Sequence, residues 1–116
     1  MAQEELIRRL FAVVDAADWH RLGEVFAVDG VYRRPGYRDI CGLAEIVRFY
    51  RDVRIIEQGR HELIGVIVDE CQGSCWGRFR GVSRSGEALA EDFAEWYDFA
   101  GPVIAERRTF FYRQAI

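Results

Sequence analysis

Over residues 4–14 the apolar positions Leu6, Ile7, Leu10, Phe11 and Val14 recur at spacings of three and four, which puts them on one face of a helix. Glu4 and Glu5 suit the positive end of that helix. Residues 15–18 break the pattern, and Asp18 is a good N-cap for a second helix carrying Trp19, Leu22, Val25 and Phe26, which Asp29-Gly30 ends. Residues 31–34 read as a short strand, because Pro35 cannot donate to a ladder and Gly36 releases the chain into a polar, aromatic loop over 37–41. After Gly42 a third helix sets Leu43, Ile46, Val47 and Tyr50 on one face and Glu45, Arg48 and Arg51 on the other.

Beyond Arg51 the period changes from helical to alternating. Segments 60–70, 74–83, 87–99 and 102–113 have the β-branched and aromatic content of strands, with Gln72-Gly73, Ser85-Gly86 and Ala100-Gly101 short enough for hairpin turns. The pattern therefore predicts three N-terminal helices packed on a curved, mainly antiparallel sheet of about five strands, an α+β fold. A chain of 116 residues suits one domain, 1–116, and no repeat or linker divides it.

Charge narrows the partners. The net charge is −3 and no run of basic residues occurs, so neither nucleic acid nor an anionic membrane is expected to bind. No stretch approaches a membrane span, and the N-terminal residues alternate charged with apolar instead of forming a signal-peptide core, which predicts a cytoplasmic protein. All 16 basic residues are Arg; without Lys, Schiff-base and phosphate-loop chemistry is excluded. Cys41, Cys71 and Cys75 are odd in number and suit a reducing compartment. With only His20 and His61 to join them, no metal site is expected, and no cofactor either.

The order helix, D-W, helix, F-A-x-D-G-V-Y, R-P-G, G-L-A-E-I-V-R-F-Y, then R-H-E-L, W-G-R-F-R-G, D-F-A-E-W-Y-D-F and E-R-R-T-F-F-Y resembles the nuclear transport factor 2-like superfamily. Within it the likeness is greatest to SnoaL-type polyketide cyclases and ketosteroid isomerase. The resemblance covers nearly the whole chain. It implies a cone-shaped, cystatin-like fold around an apolar pocket, a small-molecule ligand, and a homodimer assembled through the sheet. It also marks departures. Arg34, or Arg33 in a gap-free match, stands where ketosteroid isomerase has its base, and Leu10 where it has a tyrosine. The Asp, Arg and Asp set of limonene epoxide hydrolase matches Trp76, Arg78 and Thr109.

Alternation along 92–99 gives one row of Phe93, Glu95, Tyr97 and Phe99, more apolar than the row of Asp92, Ala94, Trp96 and Asp98, and hence the inward one. Glu95 then has two readings. In one it is a desolvated acid of raised pKa, which the resemblance supports by matching it to the hydrogen-bond-donating acid of ketosteroid isomerase; in the other it pairs with an Arg in the core. His61 is the natural acid/base group, or else a strand-end histidine partly in solvent. Arg34, with Arg78 and Arg107, would stabilise negative charge on oxygen, unless Arg34 turns outward to Asp39 and the other two pair with Asp92 and Glu106. The catalytic candidates are thus Glu95, His61 and Arg34, with Tyr32, Trp76, Arg78, Phe93, Tyr97, Arg107, Thr109 and Phe111 around the substrate, and Tyr37 and Tyr50 near the mouth. The expected function is a cofactor-independent cyclase, isomerase or dehydratase acting on an apolar substrate with an acidic or enolisable oxygen. The alternatives are a non-catalytic binding protein or a dimerisation module of the same fold.

Overall fold

The computed structural model describes residues 2–113 and has the expected α+β architecture, with the strand count and the second helix altered. Helix α1 spans Ala2–Asp15. A short 3-10 helix, Trp19–Glu24, leads into β1 (Phe26–Arg33), followed by β2 (Ile40–Cys41) and α2 (Leu43–Arg48). A π-helical turn, Phe49–Val53, extends α2, and four long strands complete the chain: β3 (Ile56–Val68), β4 (Gln72–Ser83), β5 (Ala88–Ala100) and β6 (Val103–Phe111). One six-stranded sheet results, in the order β2-β1-β6-β5-β4-β3, antiparallel except where β1 runs parallel to β6. No helix among the described residues is long and apolar enough to cross a membrane.

Five expectations are corrected. The second helix stops at Glu24, and Phe26 to Asp29 belong to β1 instead. Asp29-Gly30 is not a helix end but part of an irregularity in β1, where the pairing with β6 jumps from Phe26↔Ile104 to Val31↔Glu106. Gly30 suits the close backbone approach there, since a Cβ would sit 3.0 Å from the Ala27 carbonyl oxygen. Within the 37–41 loop Ile40 and Cys41 pair with Tyr32 and Val31 as a sixth strand. Finally, β3 begins at Ile56, and Gln72-Gly73 lies inside β4 because the turn is made earlier, with Asp69 Oδ1 accepting the backbone N–H groups of Cys71 and Gln72 at 2.8 Å each.

The core lies between α1 with the Trp19–Tyr50 segment and the concave face of the sheet. Leu6, Ile7, Leu10, Phe11 and Val14 of α1 are buried there, as its period predicts. Gln3 anchors the start of α1 by donating to the Glu70 and Gly101 carbonyls, one from each of two turns at the same end of the sheet. On β5 the inward row is Glu91, Phe93, Glu95 and Tyr97, all buried. Residues paired directly across a ladder share a face, so Cys75, opposite Glu95, and Gly77, opposite Phe93, also point inward. Trp76 and Arg78, opposite Ala94 and Asp92, point outward.

Candidate functional site

The inward rows of β5 and β6 converge on a buried ion pair. Register shifts around Ala105, so that Ile104, Arg107 and Thr109 all face the core although they do not alternate strictly. Arg107 meets Glu95 with two parallel hydrogen bonds, Nε to Oε1 and Nη2 to Oε2, both 2.8 Å, and each side chain is only 2% exposed. Thr109 donates to Glu95 Oε2 at 2.6 Å and the Tyr97 hydroxyl to Oε1. The carboxylate thus accepts four hydrogen bonds, which fills its lone-pair positions.

The surrounding hydroxyl protons follow by elimination. Thr109 has one proton and gives it to Glu95, so the Tyr32 hydroxyl, 2.9 Å away, donates to Thr109 Oγ1 and in turn accepts from Arg34 Nη1 at 2.9 Å. Tyr97 likewise gives its proton to Glu95, so the Cys75 thiol donates to the Tyr97 oxygen. Burial pushes that thiol's pKa up to about 12, which keeps the proton on sulfur. Arg107 Nη1 donates to the Tyr50 hydroxyl, and its guanidinium lies 4.4 Å from the Tyr32 ring centroid.

This network corrects the expectation that burial raises the pKa of Glu95. Burial does push it up, but the charge of Arg107 and the hydrogen bonds from Arg107, Thr109 and Tyr97 outweigh it, and the carboxyl is held below its ordinary range. Glu95 is an ionised acceptor with no proton to donate, and the core-pair reading describes it.

His61 forms a second polar cluster at the cavity, with Asp15. It stands within β3, not at a strand end, and its ring packs against Phe11 and Phe79, each with centroids 4.7 Å apart, and against Phe93. Phe79 can reach over β3 because residue 59 is glycine; a Cβ there would lie 2.2 Å from the Phe79 ring. Asp15, the last residue of α1, accepts from His61 twice: from the backbone N–H at 2.9 Å and from Nδ1 at 2.5 Å. A carboxylate on Nδ1 fixes the proton there and leaves Nε2 as the basic nitrogen. Burial lowers the His61 pKa, and the opposing pull of Asp15 does not restore it, so the ring is neutral at pH 7.

Between these two clusters is an internal cavity. Its wall includes His61, Arg34, Arg54, Tyr50, the Glu95–Arg107 pair and Thr109 on the polar side, and Phe79, Phe93 and Phe111 on the apolar side. It is narrow, with a volume of about 10 Å³, comparable to the space one water needs.

Of the residues singled out from the sequence, Glu95, His61, Arg34, Phe93, Arg107, Thr109 and Phe111 line this cavity, and Tyr32 and Tyr97 stand directly behind it as hydrogen-bond partners. Arg34 faces inward with Tyr32 two residues before it, while Arg33 faces outward to Asp39 and Glu106, which settles the register of β1. Trp76 and Arg78 do not belong to the pocket. Trp76 is 51% exposed on the convex face, and Arg78 is exposed beside Asp92, 3.7 Å away. Tyr50 is core, stacked on Trp19 and Tyr32, and Tyr37 packs edge-on against Phe49 outside the cavity. Two polar residues of the site escaped the sequence reading. Asp15 is 46 positions from His61 and looks like a solvated helix end; Arg54 lies between recognisable elements, and only its spacing of four from Tyr50 hints at a shared face.

Comparison with known proteins agrees with this architecture. A search of curated proteins finds no match to the sequence. Among solved structures, a nuclear transport factor 2-like protein of unknown function from Burkholderia pseudomallei superposes with a TM-score of 0.86 at 16% identity, over 96% of this chain and 91% of the other. TerC, co-crystallised with polyporic acid, gives 0.85 at 17% identity, over 96% and 92%. A protein of ketosteroid isomerase-like fold from Catenulispora acidiphila, in complex with trimethylamine, gives 0.81 at 17% identity, over 91% and 84%. At these identities the likeness is one of fold. The profile of the SnoaL-like domain matches residues 7–107, and the chain belongs to that family.

Proposed function

We propose that the protein is a cofactor-independent isomerase, cyclase or dehydratase that moves a proton on an apolar substrate with an acidic or enolisable oxygen. His61 in the cavity wall, with its Nδ1 paired to Asp15, carries this reading. A neutral imidazole with Nδ1 tied to a carboxylate has its Nε2 lone pair fixed in direction, and the imidazolium formed on accepting a proton is stabilised by Asp15. The arginines of the wall supply positive charge for an enolate oxygen. Glu95 acts as a positioning residue that holds Arg107, and Tyr32, Phe93, Thr109 and Phe111 shape the site. TerC, a protein of the same fold, was co-crystallised with polyporic acid, an acid by name, which fits this class. The test is solvent deuterium exchange into a panel of cyclic ketones and aryl-substituted enolisable acids, followed by NMR. Exchange by the wild-type protein that His61→Gln loses supports the reading; exchange at equal rates in both sinks it.

The narrowness of the cavity favours a second reading, a dimerisation module of the same fold whose pocket is vestigial, which the same panel would reveal as compounds that neither bind nor exchange.

We further propose a homodimer formed through the convex face of the sheet. Trp76, Ala94 and Phe110 stand side by side across β4, β5 and β6, with Trp96 beside them, and Trp76, Trp96 and Phe110 are exposed. Contiguous large apolar side chains of this kind mark an interaction surface. Light scattering at micromolar concentration should give twice the 13.5 kDa chain mass, and a monomer there would remove the proposal. Three cysteines without disulfides fit a cytoplasmic, reducing setting.

A further inference from the structure

Arg54 has an arrangement that the packing alone does not explain. It is the first residue after the π-helical turn, its backbone N–H donating to the Phe49 carbonyl at 2.8 Å. Arg84 pins it from outside, with Nε on the Arg54 carbonyl at 2.6 Å and Nη2 on the Arg51 carbonyl at 3.0 Å. The Arg54 side chain runs inward over the Tyr50 ring, 5.2 Å from its centroid, and past Phe79 to the cavity. It is 6% exposed, and its Nε finds no hydrogen-bond partner among the described residues.

The contrast with Arg107 is one of charge. Arg107 is neutralised by two bonds to Glu95, whereas among the described residues no carboxylate pairs with Arg54. Its charge is opposed by burial and by Arg34 and Arg107, and only Tyr50 and Tyr32 offset this, so its pKa is lowered. Burying a cation without a counter-charge is unfavourable for folding, and a planar guanidinium left with an unused N–H is suited to grip an oxyanion. The His61 ring lines the same cavity.

We propose that Arg54 is the anion-recognising residue of the cavity, seating a carboxylate or enolate oxygen of the substrate on its guanidinium while Phe79, Phe93 and Phe111 move apart to admit the apolar part of the molecule, since the closed cavity has room for about one water. This rests on the proton-transfer reading of the same cavity and makes it specific. Arg107 is committed to Glu95, Arg78 is on the outer face, and Arg34 gives Nη1 to the Tyr32 hydroxyl and packs over the Phe49 and Phe111 rings, so the ligand's negative charge is assigned to Arg54, a residue that no sequence motif marks. The fork geometry selects an oxyanion over a neutral isostere.

Benzoate and benzamide, equal in shape and different in charge, are the probes. They are titrated into 15N-labelled protein while the Nε–H resonance of Arg54 is followed, identified by its loss in Arg54→Gln. Benzoate should shift that resonance to saturation and benzamide leave it in place. Benzoate should also bind Arg54→Gln at least about tenfold more weakly, the scale of one charge-assisted contact. Arg54→Gln should melt no lower than the wild type, because it removes an uncompensated buried charge; an arginine with a merely structural role would leave a less stable protein. Should that variant not fold, Arg54→Lys, which keeps the charge and lacks the Nε–H, supplies the assignment and the wild-type titration decides. Equal response to the two probes, or no response to either, overturns the assignment. Because binding is read without turnover, benzoate held by Arg54 in a protein that exchanges no protons would refute the catalytic reading and leave the anion site standing.

Discussion

Exchanging Glu95 for glutamine should lower the unfolding free energy by about 3–5 kcal/mol, the range for removing one partner of a buried ion pair. The variant is nearly isosteric, so packing is kept; what is lost is the counter-charge of Arg107, which is 2% exposed and aimed at both carboxylate oxygens. Thr109 and Tyr97 lose a charged acceptor in the same step. The double variant Glu95→Gln, Arg107→Met should recover part of the stability, since a well-packed apolar group often substitutes for such a pair at little cost. Urea denaturation of the three proteins measures this, and a Glu95→Gln variant as stable as the wild type would show that the pair contributes nothing. The pH dependence has the same origin. Glu95 is held below its ordinary value of 4.5, so as pH falls past 4.5 the unfolded chain takes up a proton first and stability declines. His61 is held below 6.5 and works in the same direction, the unfolded chain protonating first as pH falls past 6.5. Stability should therefore be greatest above pH 6.5 and decrease in two acid steps, the upper one absent in His61→Gln and the lower one reduced in Glu95→Gln.

Replacing His61 with glutamine should reduce proton exchange by about 10²–10⁴-fold, the contribution of a positioned acid/base group. Asp15→Asn should reduce it too, by about 10²-fold or more, since the amide no longer supports an imidazolium and can turn its NH₂ to Nδ1, which moves the ring proton to the working nitrogen. In the wild type the rate should climb with pH through a value below 6.5 and level off by pH 7, because deprotonated His61 is the active form. Asp15 raises the His61 pKa, so in Asp15→Asn the rising limb should move to lower pH. Rate measurements from pH 4 to pH 8 on the three proteins, on whichever panel compound exchanges, test this; a limb that stays in place in Asp15→Asn would show that the carboxylate does not act through the imidazole.

The sequence was informative where one periodicity governs a long element. The period of α1 named its buried face, and alternation along β5 placed Glu95 and Tyr97 inward. Where elements are short or irregular, the same signals mislead. Trp19, Leu22, Val25 and Phe26 fit a helical face, yet the chain uses a 3-10 turn for the first two and turns Phe26 into a strand residue. The irregularity at Gly30 removes the alternation that would have shown β1 to be longer. Trp76 and Arg78 were expected around the substrate. Their neighbours Cys75, Gly77 and Phe79 are inward instead, a parity fixed by pairing with Glu95, Phe93 and Glu91 on β5, which only the register reveals. The sign of the Glu95 shift was also beyond one-dimensional reading. Burial was legible, but Arg107 reaches Glu95 across a strand pair whose register depends on the irregularity at Ala105. Asp15 and Arg54 were missed because each is placed by packing between distant segments, not by a local pattern.

The central claim is a neutral, directed imidazole facing the cavity, and 15N NMR of the His61 ring tests it without knowledge of the substrate. The long-range 1H–15N pattern at pH 7 should show the proton on Nδ1 and a lone pair on Nε2, with titration to imidazolium only below 6.5 and at still lower pH in Asp15→Asn. A ring that is doubly protonated at pH 7, or neutral with its proton on Nε2, would contradict the account.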